Sequence, residues 1–275
     1  MTALEAVILG IVQGLTEFLP VSSTAHLRIV PALVGWPDPG AAFTAVLQLG
    51  SLAAVIGYFI KDLLVMAKDA WKAMTDRLHG AARPPTPAAR HLLYIVLGTI
   101  PVAILGTLLK HRIEGSFRSL YVIAGAQIFF GLLLGLVEKL SRKTRTFDEI
   151  TLRDAAVIGS AQALALVPGA SRSGVTLFAA MGLGLERAAA ARFSFLLSVP
   201  AVAGAGLKEM KEVLHANDVS HGILALGLAV TVVVSYASIA WLLKFLRTRT
   251  TMPFVVYRVA LGALIFALLA AGQLH

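Results

Sequence analysis

Cysteine is absent from the 275 residues of this chain, and charged residues are scarce. Without cysteine there can be no disulfide, no thiolate nucleophile and no cysteine-bound metal. Only 14% of the residues are charged and 57% are hydrophobic, whereas an ordinary soluble domain has about 25% charged residues. Together with a mean hydropathy of +0.81, this composition predicts a polytopic membrane protein and excludes an ordinary soluble enzyme.

Six apolar runs are near the length of about 20 residues that a helix needs to cross the hydrocarbon core of a bilayer. They cover residues 43–60, 92–109, 120–137, 193–207, 222–243 and 254–272. Two other segments, 6–35 and 155–186, each hold two shorter apolar pieces around a proline-centred polar break, which predicts re-entrant helical hairpins. Backbone at such a break is tolerated at membrane depth only where protein or water satisfies it, so the breaks should line an internal site.

The two halves of the chain resemble each other. GIVQGLTEFLPVSSTAH at 10–26 is similar to GSAQALALVPGASRSG at 159–174, and FTAVLQLGSLA at 43–53 is similar to FSFLLSVPAVA at 193–203. We therefore predict one all-α membrane domain over 1–275, with repeat halves at about 1–138 and 152–272 and a cytoplasmic loop at 139–151. With three spans in each half, the second half starts on the opposite face of the bilayer, which makes an inverted-topology repeat.

The positive charges predict the orientation. The net charge of +9 could suggest a nucleic-acid partner, but lysine and arginine lie mainly in loops between apolar runs, so topology explains them and no nucleic acid is expected. One side carries Lys61, Lys68, Lys72, Arg77, Arg83, Arg90, Lys139, Arg142, Lys143, Arg145, Arg153, Lys244, Arg247 and Arg249, and the other carries Lys110, Arg112, Arg118, Lys208 and Lys211. The first side is predicted to be cytoplasmic, with 61–91 as its longest loop and a proline-rich linker inside that loop.

The first break contains an acid and a carboxamide in an otherwise apolar context. Gln13 and Glu17 are four residues apart, so on a regular helix they share one face and can converge on one ligand or ion. An ionisable residue at membrane depth is costly, which makes Glu17 a candidate for a functional site. The alternative is a carboxylate that is satisfied by local hydrogen bonds.

Small hydroxyl residues and a histidine follow Pro20. Ser22, Ser23 and Thr24 lie where the second helix of the hairpin should start, so they can cap that helix or take part in chemistry. His26 lies one turn further on and can act as a proton carrier, a nucleophile or a metal ligand near neutral pH. Its predicted closeness to Glu17 across the break favours a functional role over that of a satisfied polar residue.

The second break, PGASRSGVT, combines features that favour an oxyanion. It supplies a planar guanidinium, two glycines that permit close backbone approach, three hydroxyls and a helix start with unpaired N–H groups. The residues concerned are Gly169, Ser171, Arg172, Ser173, Gly174 and Thr176. The alternative is that Arg172 only neutralises Glu17 as a structural pair.

Other conspicuous residues are interpreted without a functional role. Arg187, Arg192 and Arg258 lie near predicted span ends, where arginine can extend to lipid head groups, and are predicted to be anchors. The three tryptophans are predicted to be interfacial or packing residues, namely Trp36, Trp71 and Trp241.

The chemistry that these groups favour is phosphoryl transfer, in which an enzyme chiefly positions groups and neutralises charge. Glu17 and Gln13 would hold a divalent cation, Mg²⁺ or Ca²⁺, through oxygen atoms, and Arg172 would clamp the phosphates. The Ser23 hydroxyl or the His26 imidazole would attack the terminal phosphorus or activate a water for that attack. The sequence leaves these routes open.

The motifs QGLTEFLPVSSTAH and PGASRSGVT closely resemble the two signatures of the bacterial undecaprenyl-diphosphate phosphatase family of the bacitracin-resistance type. The resemblance extends over essentially the whole chain. It implies removal of the terminal phosphate of undecaprenyl diphosphate, which recycles the lipid carrier for peptidoglycan synthesis and confers bacitracin resistance. It also implies catalytic roles for Glu17, His26, Ser23 and Arg172, metal binding by Glu17 and Gln13, and substrate binding by Gln13, Ser22, Thr24, Ser171, Arg172, Ser173, Gly174 and Thr176.

The same resemblance implies six transmembrane helices with two re-entrant hairpins in the bacterial plasma membrane, a site open to the outer, periplasmic face, and a tendency to form homodimers. Gln13 is the neutral option at its position, which weakens schemes in which two carboxylates bind the metal. The rival from another class is a transporter or flippase of a lipid phosphate, because inverted repeats with broken helices are typical of transporters.

Overall fold

The computed structural model describes residues 1–80, 84–109, 119–215 and 220–274, apart from the side chains of 41–42, 205 and 207–215. Within these residues the chain is all-helical, as predicted, with eleven α-helices. They are α1 (Ala3–Thr16), α2 (Ser23–Val34), α3 (Gly40–Tyr58), α4 (Ile60–Leu78), α5 (Pro87–Leu108), α6 (Leu120–Leu140), α7 (Leu152–Gln162), α8 (Arg172–Gly182), α9 (Arg187–His215), α10 (His221–Thr248) and α11 (Met252–Ala270). Among the positive charges used to predict the orientation, Arg83, Lys110, Arg112, Arg118 and the side chains of Lys208 and Lys211 lie outside the described residues.

Four of these helices are long and apolar enough to cross a membrane, and the number rises to five if a bent pair counts as one span. The four are α5, α6, α10 and α11, and they contain most of the predicted spans 92–109, 120–137, 222–243 and 254–272. The bent pair is α3 with α4. Of the two other predicted spans, 43–60 lies mostly in α3, and 193–207 lies inside α9, which is not among these candidates in the described part of the chain. Four to five candidate spans indicate a multi-pass membrane protein.

Both predicted hairpins are interrupted where their prolines and small residues predict a break. Helix α1 starts with a capping box between Thr2 and Glu5 and ends before Glu17, and α2 starts at Ser23. In the second hairpin α7 is followed by a short 3-10 turn, Ala163–Leu166, and α8 starts at Arg172. The residue before each second helix has a left-handed backbone, with φ 73° at Ser22 and 70° at Ser171. The two breaks therefore share one local geometry as well as a similar sequence.

The first helix of each hairpin packs closely on a long helix from the other half of the chain. A Cβ atom at Gly10 of α1 would lie 2.8 Å from the carbonyl oxygen of Gly227 in α10. A Cβ atom at Gly159 of α7 would lie 2.2 Å from the carbonyl oxygen of Gly98 in α5. Small residues let helix backbones approach each other where lipid gives no hydrophobic drive for association. These reciprocal contacts interlock the two halves and bring the breaks together.

The predicted cytoplasmic loop 61–91 contains helical structure that the sequence did not predict, because α4 occupies Ile60–Leu78 and α5 already starts at Pro87. Helix α4 is amphipathic and carries many charges, so its low average hydropathy hides the helical spacing of its apolar residues. Only the short connection that precedes α5 remains for the proline-rich linker.

Arg187 and Arg192 are held by the protein rather than by head groups, which corrects their interpretation as anchors. The Arg187 guanidinium pairs with the buried carboxylate of Glu138. The Arg192 guanidinium lies 3.0 Å from the Asp62 carboxylate and 4.3 Å from the centre of the Phe147 ring. Each arginine therefore fastens the start of α9 to a neighbouring element.

Candidate active site

An ion pair joins the two breaks. Glu17 directly follows α1, and Arg172 is the first residue of α8; a guanidinium nitrogen of Arg172 lies 3.1 Å from the Glu17 carboxylate. The Arg172 side chain is 14% exposed and the Glu17 side chain 7%, so the pair is nearly shielded from solvent. Arg172 also donates to the carbonyl oxygen of Ser194 at 3.2 Å. Its Nε atom is buried without a partner among the described residues.

The second oxygen of the Glu17 carboxylate accepts two further hydrogen bonds. The Ser23 hydroxyl donates to it at 2.6 Å, and the Gln13 side-chain amide donates to it at 3.0 Å. The same amide lies 3.4 Å from the Ser51 hydroxyl, which in turn lies 3.0 Å from that of Ser235. The structure thus brings Gln13, Glu17, Ser23 and Arg172 together, as the spacing predicts, and adds two serines that the sequence analysis missed.

Ser22 and Ser171 occupy equivalent positions but bond differently. The Ser171 hydroxyl accepts from the N–H of Gly174 at 3.1 Å and so caps α8. The Ser22 hydroxyl makes no cap bond and lies 3.0 Å from the Thr24 hydroxyl. Of the two roles that the sequence left open for Ser22, capping is not the one found, and the N-terminal N–H groups of α2 lack a side-chain cap from Ser22. Uncapped N–H groups at a helix start are suited to an anion.

The remaining hydroxyls of the second break are turned in two directions. Ser173 donates to the carbonyl oxygen of Leu19 at 3.0 Å, which is a direct bond between the two breaks. Thr176 donates to the carbonyl oxygen of Arg172 at 2.8 Å and lies 2.6 Å from the Ser194 hydroxyl. Ser173 therefore lies at the junction, while Thr176 contributes to the contact between α8 and α9.

His26 is occupied on both ring nitrogens. Its Nδ1 lies 2.7 Å from the carbonyl oxygen of Ser22, and its Nε2 lies 2.6 Å from the hydroxyl of Tyr257, whose ring stacks on the imidazole. A carbonyl can only accept, so Nδ1 carries a proton, and in the neutral ring Nε2 accepts from Tyr257. His26 and Glu17, both described, share no hydrogen bond with each other.

Arg258 is the main functional candidate that the sequence analysis missed, and its interpretation as a membrane anchor is wrong. It is fully buried. Its guanidinium donates to backbone carbonyl oxygens of both breaks and of α6, namely those of Pro20 at 3.2 Å, Gly169 at 2.9 Å, Ala170 at 3.0 Å, Gln127 at 3.3 Å and Ala126 at 3.4 Å. Within the described residues it has no carboxylate partner. The available signal was its place inside an apolar run, where an arginine is expensive and usually functional.

Two glycines of the second break are required by this packing. Gly169 has φ +91°, and a Cβ there would lie 2.5 Å from the carbonyl oxygen of Ile123. A Cβ at Gly174 would lie 2.7 Å from a guanidinium nitrogen of Arg258. A larger residue at Gly169 would push the second break away from α6, and one at Gly174 would displace the Arg258 guanidinium. The arrangement therefore depends on backbone approach as much as on the polar side chains.

The electrostatics of the junction favour an anion. Two guanidinium groups, Arg172 and Arg258, lie at it against the single carboxylate of Glu17, and two helices, α2 and α8, start there. A helix start carries a partial positive charge. Such a site can bind a diphosphate. The Ser23 hydroxyl, which is hydrogen-bonded to the Glu17 carboxylate, can serve there as a nucleophile.

The fold and this junction define a multi-pass membrane protein with a buried polar site, rich in positive charge, between two interrupted helical hairpins. The family model described as "Bacitracin resistance protein BacA" matches residues 6–264, so the chain belongs to this family. It is 52% identical to an undecaprenyl-diphosphatase of Myxococcus xanthus, over all of this chain and 91% of that protein. It is also 52% identical to one of Gloeobacter violaceus and 47% identical to one of a Nocardioides species, over 98% of this chain and 93% and 97% of those proteins.

Proposed function

We propose that this protein is a phosphatase that hydrolyses undecaprenyl diphosphate to undecaprenyl phosphate and inorganic phosphate. The observation that carries the proposal is the buried Glu17 and Arg172 pair at the meeting point of two helix starts. The relatives named undecaprenyl-diphosphatase, and the family description, support the substrate and a role in bacitracin resistance. The product is the monophosphate lipid carrier, so the reaction recycles this carrier for cell-wall synthesis.

Substrate binding is proposed to use the positive groups of both breaks. Phosphate oxygens compete with the Glu17 carboxylate for the Arg172 guanidinium, which prefers bidentate contacts with such oxygens. The uncapped N–H groups at the start of α2 add donors, as do those at the start of α8 other than the capped N–H of Gly174. Hydroxyls are added by Ser22, Thr24, Ser171 and Ser173. Thr176 and Gln13 help to position these groups: Thr176 hydrogen-bonds with Ser194, and Gln13 hydrogen-bonds with Glu17. Binding of the phosphate groups would therefore release the Glu17 carboxylate from its ion pair with the Arg172 guanidinium.

The proposed nucleophile is the Ser23 hydroxyl. It already donates to Glu17 at 2.6 Å, so the carboxylate can take its proton as the oxygen attacks the terminal phosphorus. The bond between that phosphorus and the bridging oxygen breaks, and undecaprenyl phosphate leaves. A water then hydrolyses the phosphoserine and regenerates Ser23. A water activated directly by Glu17 is the alternative route, whereas His26, with both nitrogens engaged, is better placed to exchange protons with Tyr257.

The donor set fits a divalent cation such as Mg²⁺ or Ca²⁺. The Oε1 atom of Gln13 is buried without a hydrogen-bond partner among the described residues, and the Nε2 atom of the same amide donates to the Glu17 carboxylate, so a rotated amide would offer a hard oxygen donor next to that of Glu17. In the described residues no three acidic or histidine side chains gather to form a metal cage. Glu17 and Gln13 would hold the ion together with phosphate oxygens of the substrate. When bound, the ion would neutralise charge that develops on the phosphoryl group.

The proposed architecture is six transmembrane helices with two re-entrant hairpins, in halves 1–138 and 152–272. The interrupted helices and the reciprocal packing of α1 on α10 and α7 on α5 support it. We further propose the bacterial plasma membrane as the location, a site that opens to the outer face, and a homodimer. Labelling of a Gly80→Cys variant in intact cells tests the orientation, because the chain has no other cysteine. An impermeant reagent added outside should leave position 80 unlabelled, and labelling would contradict the orientation.

The function is tested by phosphate release from undecaprenyl diphosphate with full-length protein purified in detergent. Wild type should turn over with Mg²⁺ or Ca²⁺ and stop with a chelator, and Glu17→Ala and Arg172→Ala should each lose at least about a hundredfold in kcat. Glu186→Ala and Arg249→Ala are matched controls, because both residues are exposed and the same charges are removed. Unchanged turnover in the first two variants would refute the site. Movement of intact lipid across liposomes without phosphate release would instead favour a flippase.

A further inference from the structure

Helix α4 has an apolar face that no part of the described chain covers. Leu64, Trp71 and Leu78 follow each other at intervals of seven residues, so they form one stripe along the helix. They are 62%, 66% and 77% exposed. Ile60 and Met74, which are also exposed, extend the same stripe. An exposed apolar stripe of this length marks an interaction surface rather than an ordinary solvated helix.

The opposite face of α4 is held by the protein. Met66 is buried, and Asp62 pairs with Arg192 at 3.0 Å. Further along, Asp69 accepts a hydrogen bond from the Thr86 hydroxyl at 2.7 Å. The rotational setting of α4 is therefore determined. Leu64 and Trp71 face away from the rest of the molecule, while the exposed Met74 and Leu78 border a cleft against α5.

The direction of α4 relates this stripe to the bilayer. Helices α3 and α4 adjoin at Phe59 with a bend of 74°. Because α3 contains the apolar run of a predicted span, a helix that turns by 74° from it runs close to the plane of the membrane surface. An amphipathic helix in that orientation places its apolar face at the boundary between head groups and acyl chains.

A row of lysines flanks the stripe on one side. On a helix with 100° per residue, Lys61, Lys68 and Lys72 follow the apolar stripe within about a quarter turn. All three are exposed, and none has a carboxylate partner among the described residues. Lysine beside a buried apolar face extends its charge to lipid phosphates, and several such residues favour anionic lipids.

We propose that α4 is an interfacial helix that docks on the membrane surface and gathers anionic phospholipid through Lys61, Lys68 and Lys72. The apolar stripe determines how deeply the helix inserts into the membrane surface, and the lysines give the helix a preference for anionic head groups. The surface is independent of the phosphatase site, since its residues belong to neither break. A second copy of this chain is the competing occupant of the stripe.

The anionic preference is tested by the fluorescence of Trp71 in a Trp36→Phe, Trp241→Phe variant, which retains one of the three tryptophans of the chain. The full-length protein is reconstituted in phosphatidylcholine vesicles with an equal mole fraction of brominated phosphatidylglycerol or brominated phosphatidylcholine. We expect both lipids to quench Trp71 and the anionic one to quench it more. No quenching, or equal quenching by the two lipids, overturns the proposal.

The lysines are tested in the same background. Lys68→Gln with Lys72→Gln should lower the local enrichment of brominated phosphatidylglycerol by about fivefold or more. Lys139→Gln with Lys244→Gln removes the same charge from exposed positions on other helices and should leave the preference intact. Equal effects of the two double variants would mean that net charge, and not α4, draws the lipid.

The depth of the helix is tested by spin labels at single cysteines, which this cysteine-free chain permits. A label at position 64 should be more accessible to oxygen than to a water-soluble nickel complex, and a label at Asp76, away from the stripe, should show the reverse. Equal accessibility to the nickel complex at both positions would contradict docking on lipid. Dipolar broadening between labels at position 64 would show that a second copy covers the stripe, which also overturns the proposal.

Discussion

The Ser23 hydroxyl donates to the Glu17 carboxylate at 2.6 Å, across the break between α1, which ends just before Glu17, and α2, which begins at Ser23. Their separation of six residues would place them on different faces of a continuous helix. The break folds the chain back so that an acid and a hydroxyl meet, and the same carboxylate binds Arg172 from the other hairpin at 3.1 Å. A base, a nucleophile and an anion-binding group are thereby connected through one side chain.

Removal of the Ser23 hydroxyl should distinguish attack by serine from attack by water. For Ser23→Ala we expect kcat for phosphate release to fall by at least about a thousandfold, because the nucleophile is lost. Ser160→Ala is the matched control: this serine is exposed on α7, outside both breaks, and its loss should leave kcat within about twofold. A phosphoenzyme trapped by rapid acid quench in wild type and absent from Ser23→Ala would support the route. Near-normal turnover of Ser23→Ala would make water the nucleophile.

Arg258 should be essential for the placement of both breaks. Its guanidinium donates to carbonyl oxygens of Pro20, Gly169 and Ala170, and each acceptor left unsatisfied costs about 1–3 kcal/mol. Arg258→Lys keeps the charge but has too few donors in the wrong geometry, so kcat should fall by about a hundredfold through misplacement. Steady-state kinetics and size-exclusion profiles check this, with exposed Arg247→Ala as the control. Full activity of a well-folded Arg258→Lys variant would contradict the assignment.

The breaks were predictable because their signals are local. Pro20 and the following hydroxyl residues interrupt an apolar run, and the second break repeats that pattern, so composition alone indicates where the helices stop. The approach of Glu17 to Arg172 also followed, since an inverted repeat brings two equivalent hairpins together. These inferences needed no knowledge of side-chain packing.

The missed features depend on contacts between distant segments. Arg258 lies inside an apolar run, which signals a buried arginine, but the carbonyl oxygens that it binds are brought to it by the packing of α11 on α6 and the breaks. The Ser51 and Ser235 hydroxyls behind Gln13 come from two more helices, 184 residues apart in sequence. Helix α4 was missed for another reason, because its charges lower its average hydropathy although its apolar residues keep a helical spacing.

Gln13→Glu tests the proposed cation site. The substitution adds a second carboxylate next to Glu17 at a position where the amide oxygen is buried without a partner. Calcium and magnesium affinity rises with the number of charged oxygen ligands, so the divalent cation concentration for half-maximal activity should fall by about tenfold. Titration of phosphate release against Mg²⁺ measures this. A rise in the required concentration would indicate that the new carboxylate pairs with Arg172 instead.

The pair of Glu138 and Arg187 should contribute to stability rather than to catalysis. The Glu138 carboxylate is 4% exposed and also accepts from the backbone and hydroxyl of Thr251, so it ties α6 to the starts of α9 and α11. Arg187→Ala leaves a buried carboxylate without its main cation, which should cost about 3 kcal/mol of unfolding free energy. Thermal melts in detergent measure this against exposed Arg142→Ala. Lower kcat with an unchanged melting temperature would indicate a functional role for the pair.

The crossing of α5 and α7 should tolerate no side chain at Gly159. A Cβ there would lie 2.2 Å from the carbonyl oxygen of Gly98, which is backbone and cannot rotate away, so Gly159→Ala must separate the two helices. Overpacking of this kind costs about 1–3 kcal/mol, and the displaced α7 would also move the second break away from Glu17. We therefore expect both a lower melting temperature and a lower kcat. Gly57→Ala is the control, because a Cβ at that helical position meets no atom within 4 Å. If Gly159→Ala and Gly57→Ala had the same melting temperature and the same kcat, α5 and α7 would have to lie further apart than described. The junction of the two breaks would then not depend on the contact between α5 and α7.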